Sequence, residues 1–153
     1  MDALTVLKRL RGADEEIERL KARIKQRRDL LTAKSAGVGD PNGGSRGGGD
    51  KDKTGALLAD IDALERALQL RTDEKNAEEM SALALLDMAP DLESEVLYLY
   101  YVQRMTTGGI ARSKRYQPSY VRRVKRNGET VIAMLSEALV DATLPKWYLQ
   151  ERG

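Results

Sequence analysis

Residues 3–31 read ALTVLKRLRGADEEIERLKARIKQRRDLL, and the spacing of their apolar members sets the architecture. Ala3, Val6, Leu10, Ala13, Ile17, Leu20, Ile24 and Leu31 recur three and four residues apart, the heptad rhythm of a helix that buries one seam. Arg27 stands where the rhythm calls for an apolar residue, and Glu15, Glu18, Arg19, Lys21, Arg23 and Lys25 fill the outer faces. The stretch predicts one helix of about 30 residues.

Beyond it, Gly37 to Gly49 is glycine-rich, includes Asp40, Pro41 and Asn42, and has no periodicity. Such composition predicts a flexible linker, over about residues 36–53. Helical spacing resumes at Leu57, Ile61, Leu64 and Leu68, with Asp52 or Thr54 as its cap. It passes through a polar run from Arg71 to Glu79 and recovers at Met80, Leu83 and Leu86. Two amphipathic helices joined by a loop bury their stripes by folding back, so residues 1–88 are expected to form a long antiparallel coiled-coil hairpin.

Ala89-Pro90-Asp91 breaks the chain, because the residue before proline avoids the helical region and Asp91 can cap the next helix. Residues 91–141 then read as three helical pieces, from Asp91 to Gln103, Thr107 to Lys114 and Pro118 to Asp141. Leu92, Val96, Leu99 and Tyr100 or Tyr101 give the first an apolar face, and Ile110 and Ala111 the second. Val121, Val124, Val131, Leu135 and Ala138 or Leu139 give the third its stripe. Gly128 lies in that stripe and weakens the helix by roughly 1 kcal/mol relative to Ala. Residues 142–153 are a tail that packs back or frays.

Composition agrees with an all-α fold. The 153 residues suit one globular unit with accessory structure, and the absence of Phe, with 5% aromatic residues, favours helices over a β-sandwich. The absence of Cys and His removes disulfides, thiolate nucleophiles, Cys/His zinc sites and imidazole acid-base chemistry, so no enzyme and no cofactor is expected. No apolar run approaches 18 residues, which predicts a cytoplasmic protein without membrane contact. Residues 104–128 hold eight basic side chains and no acidic one, a patch suited to phosphate backbones.

Positions two apart on a helix lie about 200° round its axis, so with Val121 and Val124 facing inward, Ser119, Arg123 and Arg126 face outward and Arg122 borders them. Arginines near the start of a helix suit major-groove reading, since guanidinium pairs bidentately with guanine O6 and N7. Ser119 and the free amides beside it suit a phosphate, and Tyr120 a sugar-phosphate or a thymine methyl. Lys125, Arg112, Lys114 and Arg115 complete the expected DNA-contacting set.

Leu99-Tyr100-Tyr101, Thr106-Thr107, Ile110-Ala111, Tyr116 and Pro118-Ser119-Tyr120-Val121-Arg122-Arg123-Val124 together resemble the helix-turn-helix of bacterial sigma-factor region 4. In that family an aromatic ends the supporting helix, a hydroxyl residue opens the short helix, and an Ile-Ala pair packs it on a recognition helix. The layout of helical pair, glycine-rich gap and C-terminal unit is similar to phage and prophage sigma-70-like regulators of the ArpU and RinA type. The resemblance implies a sequence-specific transcriptional regulator in a bacterial host, with double-stranded DNA as partner. It further implies RNA polymerase as a partner of the arm, whose coiled coil is otherwise expected to set a homo-oligomer. The chain departs from the family at Arg104 and Arg115, where glycines are usual, at Gly108 and Gly109, where acidic residues are usual, and at Lys114, where an apolar residue is usual.

Two other functions fit the same layout. A small terminase-like packaging protein also joins a helix-turn-helix to a coiled hairpin, in the opposite chain order, and a coiled-coil interaction module would bind protein without DNA. Asp50 to Gly55 opens like a calcium loop but meets Ile61 where a bidentate glutamate is needed. The glycine stretch lacks a Gly-Lys-Ser/Thr element. The pairs Asp73-Glu74 and Glu78-Glu79 read as a solvated face.

Overall fold

The computed structural model describes residues 1–36 and 47–152, and these are helical with no strand. Helix α1 spans Ala3–Ala36 and α2 spans Gly47–Leu86. There follow α3 (Asp91–Leu97), which runs on into a π-helical turn at Tyr98–Val102, then α4 (Thr107–Lys114), α5 (Pro118–Ala133), α6 (Glu137–Ala142) and α7 (Lys146–Gln150). An all-α fold with two long packed helices is therefore observed. Residues 37–46 of the expected linker lie outside the described residues. The rest of that expectation is corrected: α2 opens at Gly47, so Asp52 and Thr54 lie inside it and cap nothing. Helix propagation adds a hydrogen bond per residue fixed, which here outweighs glycine's poor propensity.

The chain divides into two compact units, residues 15–72 and residues 1–14 with 73–153. In the first, Ile17, Ile24 and Ile61 are buried and Leu20, Leu31, Leu57, Leu64 and Leu68 half-buried, as the spacing requires. The two seam positions taken by arginine are both satisfied by ion pairs. Arg27 Nε donates to Asp60 Oδ2 at 2.7 Å, and the buried Arg71 donates through Nε to Glu16 Oε2 at 2.9 Å.

The second unit crosses the boundaries expected at 88, 91 and 141. Val6, Leu7 and Leu10 of α1 and Leu85 and Leu86 of α2 share one core with Leu97, Tyr101, Ile132, Val140, Leu144 and Tyr148. The tail is thus part of the core, with Tyr148 completely buried. A smaller core of Val96, Ile110, Ala111, Val121 and Val124 holds α3, α4 and α5 together.

Two readings of the sequence are corrected here. The third helical piece stops at Ala133 because Ser136 starts a new helix, its Oγ accepting from the Leu139 amide at 3.2 Å. Val140, not Ala138 or Leu139, then turns inward. The polar run on α2 is no solvated face either. Glu74, Glu78 and Ser81 are buried, while Met80 and Leu83 point outward. The three-and-four rhythm continues through polar residues because α1 supplies partners: Arg9 reaches Glu78 at 2.9 Å and Glu74 at 3.4 Å.

Candidate nucleic-acid interface

Thr106 begins the site. Its backbone is extended and its Oγ1 accepts from the Gly109 amide at 3.0 Å, satisfying one of the free donors at the start of α4. A side chain on residue 109 would put its Cβ 3.1 Å from that oxygen, so glycine there leaves room for the cap. Ile110 and Ala111 then pack inward on Val121 and Val124, holding α4 against α5.

Arg104 and Arg115 are the described non-glycine residues with positive φ, both at 58°. Arg115 ends α4 in the left-handed conformation, and its neighbour Tyr116 returns an amide to the Ala111 carbonyl at 2.9 Å. Arg104 is held by Asp14 of α1 at 2.5 Å. Beside it, Arg11 donates to the carbonyls of Tyr100 and, at 3.1 Å, Met105, while its guanidinium lies 3.7 Å from the Tyr100 ring centroid. Arg11 of α1 thus closes the Tyr100 carbonyl of the π-helical turn and the Met105 carbonyl in the loop beyond it. No local signal in the sequence marks Arg11 or Asp14 for this work, since both partners lie about ninety positions along the chain.

The close approach of α3 and α5 depends on Gly128, which is buried. A Cβ there would stand 2.8 Å from Leu97 Cδ1 and 3.1 Å from Glu93 Cβ. The glycine inside the helical stripe is therefore a packing requirement.

Val121, Val124, Gly128 and Ile132 form the buried stripe of α5, and Ser119, Arg122, Arg123 and Arg126 lie exposed on the opposite side. Arg112 and Arg115 of α4 are exposed too. None of these five arginines pairs with an acid among the described residues. Arg123 sits 5.3 Å from the Tyr120 ring centroid, and Tyr120, half-buried, meets Tyr116 edge-on at 5.3 Å. Asn127, one turn beyond Arg123 and exposed, extends the strip; its i+4 spacing was the available signal.

Two lysines of the expected set are held elsewhere. Lys114 pairs with Glu95, which raises the ammonium above its ordinary pKa. Lys125 pairs with Glu129 at 2.5 Å and lies 4.4 Å from the Tyr100 centroid, on the flank facing α3. Glu129 also accepts from the Tyr101 hydroxyl at 3.0 Å, and burial, with Glu129 adding to it, raises that phenol's pKa.

No protein-family model matches the chain, and neither a curated protein nor a solved structure matches it. Among the described residues there is no group of three metal-ligating side chains, and no helix is long and apolar enough to cross a membrane. What the surface offers is an arginine strip on a braced helix.

Proposed function

We propose that the protein binds double-stranded DNA through the exposed face of α5 and acts as a sequence-specific transcriptional regulator of the sigma region 4-like, phage or prophage type. The observation that carries this reading is the exposed set Arg122, Arg123 and Arg126, free of acid partners among the described residues, with Arg123 and Arg126 opposite the Val121 and Val124 stripe and Arg122 bordering them. Guanidinium groups so placed can reach base edges, while Ser119 and the first amides of α5 meet a phosphate. Arg112 and Arg115 extend the positive surface for the backbone. The arm of residues 15–72 is left for a protein partner, RNA polymerase in this reading.

Selection of bound sequences from random duplexes tests it. Recovery of a defined site supports regulation. Binding without enrichment favours the packaging function, and no binding at low salt favours an interaction module. Replacing Arg123 or Arg126 by Ala should weaken binding to the selected site by about 1–3 kcal/mol and relax its preference at one position.

A further inference from the structure

Within the unit of residues 1–14 and 73–153, the corner between α2 and α3 holds an open cleft of about 290 Å³. Leu83, Leu86 and Asp87, at and just past the end of α2, line one side, and Asp91, Glu95 and Tyr98, of α3 and its π-helical turn, line the other. Leu83 is exposed although apolar, and so is Met80, one turn earlier on the same face. Two of the three carboxylates are uncommitted. Glu95 pairs with Lys114, but Asp87 and Asp91, both exposed, make no ion pair among the described residues. From residue 76 to 103 the chain has six acidic side chains and no basic one, so the stretch holds no cation of its own to offset them.

We propose that this cleft receives an arginine side chain from a basic segment of a protein partner. A divalent metal ion needs several oxygen ligands gathered at one point, and no group of three metal-ligating side chains exists among the described residues. A nucleic acid is repelled by the carboxylates. A lysine would meet them as a compact, strongly hydrated point charge, whereas the planar guanidinium also stacks on an aromatic face, which Tyr98 supplies. The methylene stem of an arginine covers Leu83 and Leu86 while its fork of donors meets the Asp87 and Asp91 carboxylates. The cleft lies at the lower end of the volumes that take whole small molecules, and suits one long side chain. Met80 extends the apolar surface toward residues that flank the arginine in the partner. The inference stands apart from DNA binding, because it uses no residue of the arginine strip on α5.

Fluorescence anisotropy of a labelled hexa-arginine peptide, titrated with the full chain at about 50 mM salt, tests it. The peptide should bind, and a hexa-lysine peptide of equal charge should bind about threefold more weakly or worse. Asp87→Asn with Asp91→Asn should weaken the arginine peptide about tenfold or more with circular dichroism unchanged. Asp52→Asn with Glu151→Gln removes the same charge from two exposed sites outside the cleft and should leave the affinity within about twofold. Leu83→Ser should weaken binding with every charge in place. Absence of binding, equal affinity for the two peptides, equal loss in the two double variants, or affinity unmoved by Leu83→Ser would each overturn the proposal. Self-association of the chain that Asp87→Asn with Asp91→Asn abolishes would put a second copy in the cleft and overturn it as well.

Discussion

The Tyr148 hydroxyl donates to Glu78 Oε1 at 2.7 Å, although the two residues stand 70 positions apart, and the Glu78 side chain has no exposure to solvent. Arg9 completes the site, donating from Nε to Glu78 at 2.9 Å and to the Tyr148 hydroxyl oxygen at 3.2 Å. Arg152 caps the neighbouring Glu74 and stacks 4.5 Å from the Tyr148 centroid. A carboxylate in that position is tolerable only while its partners remain. Replacing Arg9 by Met should therefore destabilise the fold by about 3–5 kcal/mol, and Tyr148→Phe by about 1–3 kcal/mol, read from urea midpoints. Equal midpoints for all three proteins would show that the network contributes nothing.

The same tyrosine gives a pH dependence with a definite sign. Burial, reinforced by the hydrogen bond to Glu78, pushes its pKa from 10.0 up to about 12. A group raised in the folded state contributes stability that is complete below the unfolded value and disappears as pH rises through the folded one. Stability should thus fall between pH 10 and about 12. Tyr148→Phe should flatten part of that fall in alkaline urea titrations. Tyr101, raised by burial and Glu129, accounts for a further part, so the double Phe variant should be flatter still.

Gly128→Ala separates propensity from packing. Helix propensity alone favours Ala by about 1 kcal/mol. The added methyl would overlap Leu97 Cδ1, at 2.8 Å, and Leu97 belongs to the core shared by α1, α2 and α5. Overpacking of this kind costs about 1–3 kcal/mol, so the variant should be less stable by thermal melting. A rise in melting temperature would mean that α3 and α5 do not approach this closely.

Arg115 and Arg104 share one backbone strain and differ in what their side chains do. Both have φ of 58°, but Arg104 pairs with Asp14 whereas Arg115 makes no ion pair among the described residues. Arg115→Gly should stabilise the protein by about 0.5–1 kcal/mol, relief of left-handed strain exceeding the added freedom of the unfolded chain. Arg104→Gly should gain less, or lose, because the pair with Asp14 goes. Chemical denaturation of the two variants side by side decides it.

These two arginines also show what the sequence could disclose. Their left-handed turns have no glycine to mark them, whereas α4 keeps the Thr107–Lys114 bounds that its helical reading predicts. The seam of α1 was legible because apolar residues carry it throughout. The seam of α2 was lost at Arg71, Glu74 and Glu78, since burial of a charge depends on partners such as Arg9 that periodicity cannot see. For the same reason the pairing of Lys114 with Glu95 of α3 was hidden, whereas Lys125 and Glu129 stand at the i,i+4 spacing of one helix, so that pair was legible in the sequence. The stop at Ala133 was written locally, in Ser136 and Glu137, but the apolar spacing through Leu135 masked it.

The lysine pairs sharpen what salt should do to DNA binding. Of the eight cations between Arg104 and Arg126, three are engaged with Asp14, Glu95 and Glu129, which leaves Arg112, Arg115, Arg122, Arg123 and Arg126. Each phosphate neutralised contributes about −0.9 to the slope of log binding constant against log salt, so five contacts give about −4.5 and fewer give less where arginines read bases instead. Arg112→Ala, on α4 and away from the strip of α5, should reduce the slope by about 1 without changing the preferred sequence. Lys114→Ala should leave it nearly unchanged, because its charge is already matched by Glu95. A slope that responds to Lys114 and ignores Arg112 would place the duplex on a different face of the unit, and affinity indifferent to salt would remove the electrostatic basis for DNA as the partner.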